Sequence, residues 1–282
     1  MALALGQRLL GALTPRRGIL ADTGVAYYHQ PRHQLDIYRP VARPQVPLPL
    51  PVVVFFYGGR WQRGDRGVYS FAGRALAATG CVAVVADYRL WPEVRFAGFM
   101  DDGARAVSWV QRNIGDFGGD PARIYLMGHS AGAHIAGMLA LAPQWLDSAG
   151  GDRARLAGWV GLSGPYDFLP VRDDDLIDMF TRESTPEHTQ PIHFADALAP
   201  PALLLTGARD RMVGPGNSRR LARRLEAEKP GRVRVIHYPR VGHLGILAGL
   251  TPPGQRLAPL LAHVPAFVDD PGGFIVSGER EF

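Results

Sequence analysis

Gly128-His129-Ser130-Ala131-Gly132 follows the apolar run Ile124-Tyr125-Leu126-Met127 and precedes the helix-forming run Ile135 to Leu141. This order reads as a nucleophile elbow. The serine of such a turn sits between strand and helix in a φ-positive conformation that exposes its hydroxyl and tolerates only very small neighbours. Gly128 and Gly132 supply that room. A helix beginning just after Ser130 also aims free backbone N–H groups, Ala131 first, at the point where an oxyanion develops. The pentapeptide occurs by chance in many chains; the strand before it and the helix after it make Ser130 a candidate nucleophile.

A serine hydroxyl is a weak nucleophile near neutral pH, so it needs a base within hydrogen-bond reach and a carboxylate that sets the tautomer of that base. The run Ala202 to Thr206 reads as a strand opening into Gly207-Ala208-Arg209-Asp210-Arg211, which places Asp210 at the edge where Ser130 emerges. The alternative is a solvated aspartate paired with Arg209 or Arg211. Val233 to Tyr238 leads into Pro239-Arg240-Val241-Gly242-His243-Leu244-Gly245, whose glycines let His243 reach inward. The order Ser130, Asp210, His243 is the order that accompanies this elbow, whereas other folds carrying the same three groups order them differently. His129 reads as a packing or supporting residue, and His134, His188, His193, His237 and His263 as surface or loop residues. None has the spacing of a metal ligand set.

The run Val52 to Tyr57 ends in Gly58-Gly59-Arg60-Trp61. Two adjacent glycines after this strand let the backbone approach a substrate oxygen, so Gly58, Gly59 and Arg60, with the N–H of Ala131, form the candidate oxyanion hole. A simple Gly-Gly turn is the plainer reading.

Apolar runs at Val52–Tyr57, Val82–Ala86, Ile124–Met127, Trp159–Leu162, Ala202–Thr206 and Val233–Tyr238 read as strands buried on both faces. Helical spacing falls between and after them, at Tyr69–Ala78, Phe99–Ile114, Ala133–Leu141, Ser218–Glu228 and Gly254–Phe267. Alternating strands and helices predict an α/β protein with a mostly parallel central sheet and helices on both faces. Val25–Tyr28 and Gln34–Tyr38 predict an antiparallel edge hairpin, followed by a proline-rich link from Pro40 to Pro51. Residues 164–200, with prolines, histidines and Asp173-Asp174-Asp175, read as a lid-like insertion.

The 282 residues, 46% hydrophobic and 20% charged, suit one domain over 1–282, with a helical extension over 1–20. The net charge of +5 comes almost wholly from scattered arginines, with Lys229 the single lysine. That pattern argues against nucleic-acid binding, and Arg219-Arg220 with Arg223-Arg224 reads as a solvated helix face. One cysteine, Cys81, forms no intrachain disulfide and reads as buried at a strand start. Ala2 to Leu13 lacks the layout of a signal peptide, and no apolar run is long enough for a membrane span. A cytoplasmic enzyme is expected; the oligomeric state is not legible.

These motifs resemble the α/β-hydrolase superfamily. Within it they are most similar to hormone-sensitive-lipase-like carboxylesterases, feruloyl-esterase-like enzymes and kynurenine formamidases. The resemblance runs from about Tyr27 to Phe267 and includes Leu35-Asp36-Ile37-Tyr38-Arg39-Pro40, Asp87-Tyr88-Arg89-Leu90 and Asp116-Phe117-Gly118-Gly119-Asp120-Pro121. It implies the α/β-hydrolase fold and cofactor-free serine hydrolysis of a small to medium carboxylic ester. An aryl-formamide or amide hydrolase with the same three residues, or a non-catalytic binding protein on this fold, are the alternatives. Members usually begin the oxyanion loop with histidine, where this chain has Tyr57, whose hydroxyl is expected to brace the loop. Arg60 replaces a frequent glycine; its guanidinium is expected to meet either a substrate carboxylate or a surface acid.

Overall fold

Eight strands form one sheet in the order β1-β2-β4-β3-β5-β6-β7-β8 in the computed structural model, which describes residues 10–41, 49–183 and 185–276. β1 (Ile19–Ala26) and β2 (Gln34–Pro40) are the antiparallel hairpin at one edge, and β2 also runs antiparallel to β4 (Val82–Ala86). From there β3 (Leu50–Phe56), β4, β5 (Gly119–His129), β6 (Leu156–Leu162), β7 (Ala202–Gly207) and β8 (Val233–Tyr238) are all parallel. The C-terminal ends of these strands therefore share one rim, and crevices beyond that rim are where open α/β sheets bind ligands.

Each face of the sheet is covered because the central strands are apolar on both sides. Alternation along the strands sends Val53 to one face and Phe56 to the other. On the first, α1 (Ser70–Ala77) and α8 (Leu260–Asp269) bring Leu76 and Val264 beside Val53. Opposite them, α2 (Phe96–Asn113) and α3 (Ala131–Leu141) pack Ile135 and Leu139 against Gly103, next to Phe56. α3 is buried along all eleven residues, since it lies beneath both α2 and the insertion. α6 (Gly216–Glu228) covers β7 and β8, burying Leu221, Ala222 and Leu225 while its arginine pairs face outward. This is the α/β-hydrolase arrangement.

Three expectations need correction. β8 is not buried on both faces: Arg234, Ile236 and His237 are only partly buried, because it is an edge strand with a neighbour on one side only. The helix expected over residues 254–267 is broken into a 3-10 turn, Pro252–Arg256, and α8; Pro259 lacks an N–H and restricts Ala258 before it, so the helix restarts at Leu260. His134 is not a surface residue: it is fully buried on α3. Residues 1–9 of the expected N-terminal extension and 42–48 of the proline-rich link lie outside the described residues; residues 10–13 are helical.

The elbow depends on two backbone contacts that leave no space for a side chain. A Cβ on Gly128 would stand 2.2 Å from the carbonyl oxygen of Gly132, and one on Gly132 would stand 2.0 Å from that of Phe56. The backbone cannot yield here without parting β3 from β5. Gly132→Ala is expected to destabilise the fold by about 3 kcal/mol or more, as overpacking against a rigid wall does, measured as a lowered urea midpoint with an unchanged transition slope.

Candidate active site

Three loops at the rim bring the expected residues together. Ser130 follows β5 with φ 54° and ψ −119°, a strained left-handed turn for a residue with a Cβ. Its N–H donates to the Leu162 carbonyl at 2.9 Å, which ties the elbow to the end of β6. The Ser130 hydroxyl donates to Nε2 of His243 at 2.9 Å, and Nδ1–H of His243 donates to Oδ2 of Asp210 at 2.8 Å. Ser130 and His243 are each 8% exposed, so the hydroxyl and imidazole meet nearly buried while each keeps a small face toward solvent.

The acid and the base come from adjacent strand ends. Gly207 lies so close to the Val241 carbonyl that a Cβ would approach it to 2.2 Å, and the Arg209 N–H donates to the same carbonyl at 3.0 Å. That seam holds the Asp210 and His243 loops side by side. Asp210 is buried, its Oδ1 accepting the N–H groups of Met212 and Val213 at 3.0 and 2.8 Å. Burial pushes its carboxyl upward, but the bonds from His243 and Val213 outweigh this and hold it below the usual carboxylate range. Asp210 is thus not the solvated, arginine-paired residue of the alternative reading. Asp167, a second carboxylate near the rim, is engaged by Arg220 instead.

Two backbone segments flank the serine: the start of α3, and the loop after β3, where Gly58 packs against Ser130. Ala131 begins α3, so its N–H has no intrahelical partner. Across the crevice the chain turns through Gly59 at φ 141°, Arg60 at φ 57° and Trp61 at φ 59°. Only glycine fits at Gly59, where a Cβ would lie 2.0 Å from the Arg63 carbonyl. Left-handed backbone at Arg60 and Trp61 costs about 1–2 kcal/mol each, so something must hold it. Burial of Trp61 does: its indole stacks on Phe99 and Phe168 and meets Phe180 and His134 edge-on, with centroids 4.7–6.1 Å apart.

The insertion closes this cage. Its helix α5 (Asp174–Phe180) sends Phe180 inward and its acids sideways: Asp175 accepts from Gln62 at 2.7 Å, and Asp178 from Trp91 Nε1 and Arg95, both at 3.0 Å. Arg60 pairs with Asp173 at 3.2 Å, the surface-acid outcome of its two expected roles. His134 Nε2–H donates to the Thr189 carbonyl at 2.8 Å, and burial pushes this imidazole down to about 4, so it remains neutral.

Beneath the loop after β3, Tyr57 acts through a network. Its hydroxyl donates to Asp87 at 2.7 Å and accepts from Arg32, whose guanidinium also donates to the Gly64 and Tyr88 carbonyls. Asp87 in turn accepts the backbone N–H and the guanidinium of Arg66. Both limbs of the loop are thereby tied to β3 and to the end of β4. The brace expected of Tyr57 exists, but it reaches the loop through Arg32 and Asp87. From sequence Asp87 stands out only as part of the motif Asp87-Tyr88-Arg89-Leu90, and Arg32 not at all, because residues this far apart along the chain carry no local signal of their pairing.

No cluster of metal-ligating side chains occurs among the described residues, and none of their helices is long and apolar enough to cross a membrane. The depressed Asp210 carboxyl has a measurable consequence. A carboxyl held lower in the folded than in the unfolded protein contributes stability above about pH 4, and that contribution is lost as pH falls through the folded value. Asp210→Asn is expected to flatten the loss of stability below about pH 4, checked by urea midpoints of both proteins at pH 7, 4 and 3.

The BD-FAE family model matches residues 35–225, which takes in the elbow, the oxyanion loop and the Asp210 loop. Esterase LipC of Mycobacterium tuberculosis is 32% identical over 252 residues, covering 83% of this chain and 62% of its own. Isoprenylcysteine alpha-carbonyl methylesterase ICME of Arabidopsis thaliana is 32% identical over 225 residues, 72% of this chain and 52% of its own. The chain therefore spans only about half to three fifths of these curated relatives. Among solved structures, esterase B from Lactobacillus rhamnosis, in a crystal described as tributyrin phosphonate inhibited, has a TM-score of 0.80 at 20% identity, covering 99% of this chain and 95% of that one. The esterase of Pyrobaculum calidifontis has a TM-score of 0.72 at 22% identity, covering 95% and 90%. With the fold shared by these structures and the family model matched over two thirds of its length, the chain belongs to the BD-FAE family.

Proposed function

We propose that this protein is a serine ester hydrolase acting on small to medium carboxylic esters through an acyl-enzyme, with Ser130 as nucleophile, His243 as general base and acid, and Asp210 as the orienting carboxylate. The observation that carries this reading is the unbroken hydrogen-bond chain from Ser130 through His243 to Asp210. Relatives named as esterases and methylesterases support ester chemistry over amide chemistry. A single buried Cys81 suits a reducing, cytoplasmic setting.

His243 takes the serine proton as Oγ attacks the ester carbonyl, and Asp210 stabilises the imidazolium that forms. The carbonyl oxygen, becoming an alkoxide, is held by the N–H groups of Ala131 and of the Gly58-Gly59-Arg60 segment. Each donor of this kind is worth about 100- to 1000-fold in rate. His243 then delivers its proton to the leaving alkoxide as the carbon–oxygen bond breaks, releasing the alcohol. Water, deprotonated by the same imidazole, attacks the acyl-enzyme and frees the acid and the serine. No step needs a cofactor. Phe168 and Phe180 fill the space beside Trp61, so the insertion presents a packed wall on the oxyanion side and favours compact substrates.

Short p-nitrophenyl esters and matched aryl formamides test this reading. Ester turnover is expected to vanish with Ser130→Ala and to fall by about 10⁴ in kcat with Asp210→Asn, the loss that follows when the histidine tautomer is no longer set. Preference for the formamide, or turnover that survives Ser130→Ala, would overturn it.

A further inference from the structure

The residue before the nucleophile has a placement that its position in the motif does not require. His129 is 2% exposed, and its Nε2 lies 3.0 Å from the backbone carbonyl of His243. Its ring stands 4.9 Å from the His243 ring, tilted by 42°. Its Nδ1, which has no partner, faces Gly58; a Cβ on Gly58 would come within 2.8 Å of that nitrogen. One side chain therefore touches the base loop and the oxyanion loop while being covalently next to the nucleophile.

We propose that His129 is a positioning residue, a neutral imidazole that clamps the His243 loop and the oxyanion loop to the elbow and so sets the reach of the base to Ser130. This rests on the ester-hydrolase reading and adds to it a second histidine.

The tautomer follows from the partner. A carbonyl only accepts, so Nε2 must carry the hydrogen, which leaves Nδ1 as a bare acceptor against Gly58. A second proton on Nδ1 would have nothing to donate to. Burial, and then the neighbouring His243, push this imidazole down to about 3, with the Asp210 charge opposing more weakly. The groups that face it are His243, Asp210, Ser130 and the Gly58 backbone; the His243 carbonyl and the Asp210 charge favour a charged ring, but burial and a His243 that becomes imidazolium during the reaction outweigh them. A cation at position 129 would oppose that step; a neutral donor does not.

The His243 segment needs such a tether. Gly242 and Gly245 enclose it, giving it freedom to bend and few side chains with which to fix itself. The seam at Val241 anchors one side of it, through Arg209 N–H and the close approach of Gly207. His129 anchors the residue that carries the base. Gly58 completes the arrangement: glycine there lets the His129 ring occupy the gap, so the room for the oxyanion loop and the room for the clamp are the same space.

His129→Leu, which keeps the bulk and removes the donor, is expected to lower kcat by about 10- to 100-fold, the cost of misplacing a reacting group by around an ångström, with KM changed less than twofold. His129→Gln, whose side-chain N–H can reach the same carbonyl, is expected to recover most of that loss. Equal kcat in wild type and His129→Leu, no recovery with Gln, or a loss confined to KM would each overturn the clamp. Should the leucine variant not fold, ¹⁵N-histidine NMR of the wild type decides the matter: His129 must remain neutral with hydrogen on Nε2 from pH 5 to 8, and a charged ring or an Nδ1–H tautomer there overturns the proposal. Absence of any Ser130-dependent ester turnover would instead remove the hydrolase reading, and the NMR result would still separate clamp from no clamp.

Discussion

Backbone packed directly on backbone, where β5 turns into α3 beside the end of β3, is the constraint on which the rest of the structure depends. Gly132 lies against the Phe56 carbonyl and Gly128 against the Gly132 carbonyl, at separations that admit hydrogen but no carbon. This forces the intervening Ser130 into positive φ and lifts its hydroxyl off the sheet. It also puts the Ala131 N–H and the loop after β3 on either side of that hydroxyl. The exposed hydroxyl and the backbone segments that flank it thus arise from a single steric arrangement.

Strain of this kind must be held by its surroundings. The four non-glycine residues with positive φ among those described, Arg60, Trp61, Ser130 and Ser163, all lie in loops following β3, β5 and β6 at the same rim. Different supports hold the elbow and the loop after β3. At the elbow it is tight packing of the central strands; at Trp61 it is burial in an aromatic cage completed by the insertion; under Tyr57 it is an ionic network of Arg32, Asp87 and Arg66. Aromatic pairs are worth about 0.5–1.5 kcal/mol each beyond their buried area, enough in number to offset two left-handed residues. The shape of the loop after β3 therefore depends on residues 164–200, whose Phe168 and Phe180 complete the cage around Trp61.

The central strands, the elbow and the loops bearing Asp210 and His243 were legible in the chain because each is a local pattern: apolar runs, glycines at fixed offsets, and turn residues after strands. Boundaries were less legible. β5 runs from Gly119 rather than Ile124, since Leu50 at the start of β3 pairs with Gly119 and extends it beyond its apolar stretch. Exposure of β8 and the break before α8 depended on which strand lay at the edge and on how Pro259 was accommodated. His134 looked like a surface residue because nothing in its neighbours announces that an insertion from fifty residues downstream will cover it.

What the sequence alone determined was the fold class, the rim, and the three side chains that come to it, since these follow from periodicity and from the steric demands of small residues. What the tertiary structure decided was the company those side chains keep. Arg60 pairs with the exposed acid Asp173, Tyr57 reaches its loop through Arg32 and Asp87, and His129 bonds the His243 backbone. Each of these is a hydrogen bond between residues at least 25 positions apart. Such contacts depend on where folded loops end within a few tenths of an ångström, and no local pattern carries that information.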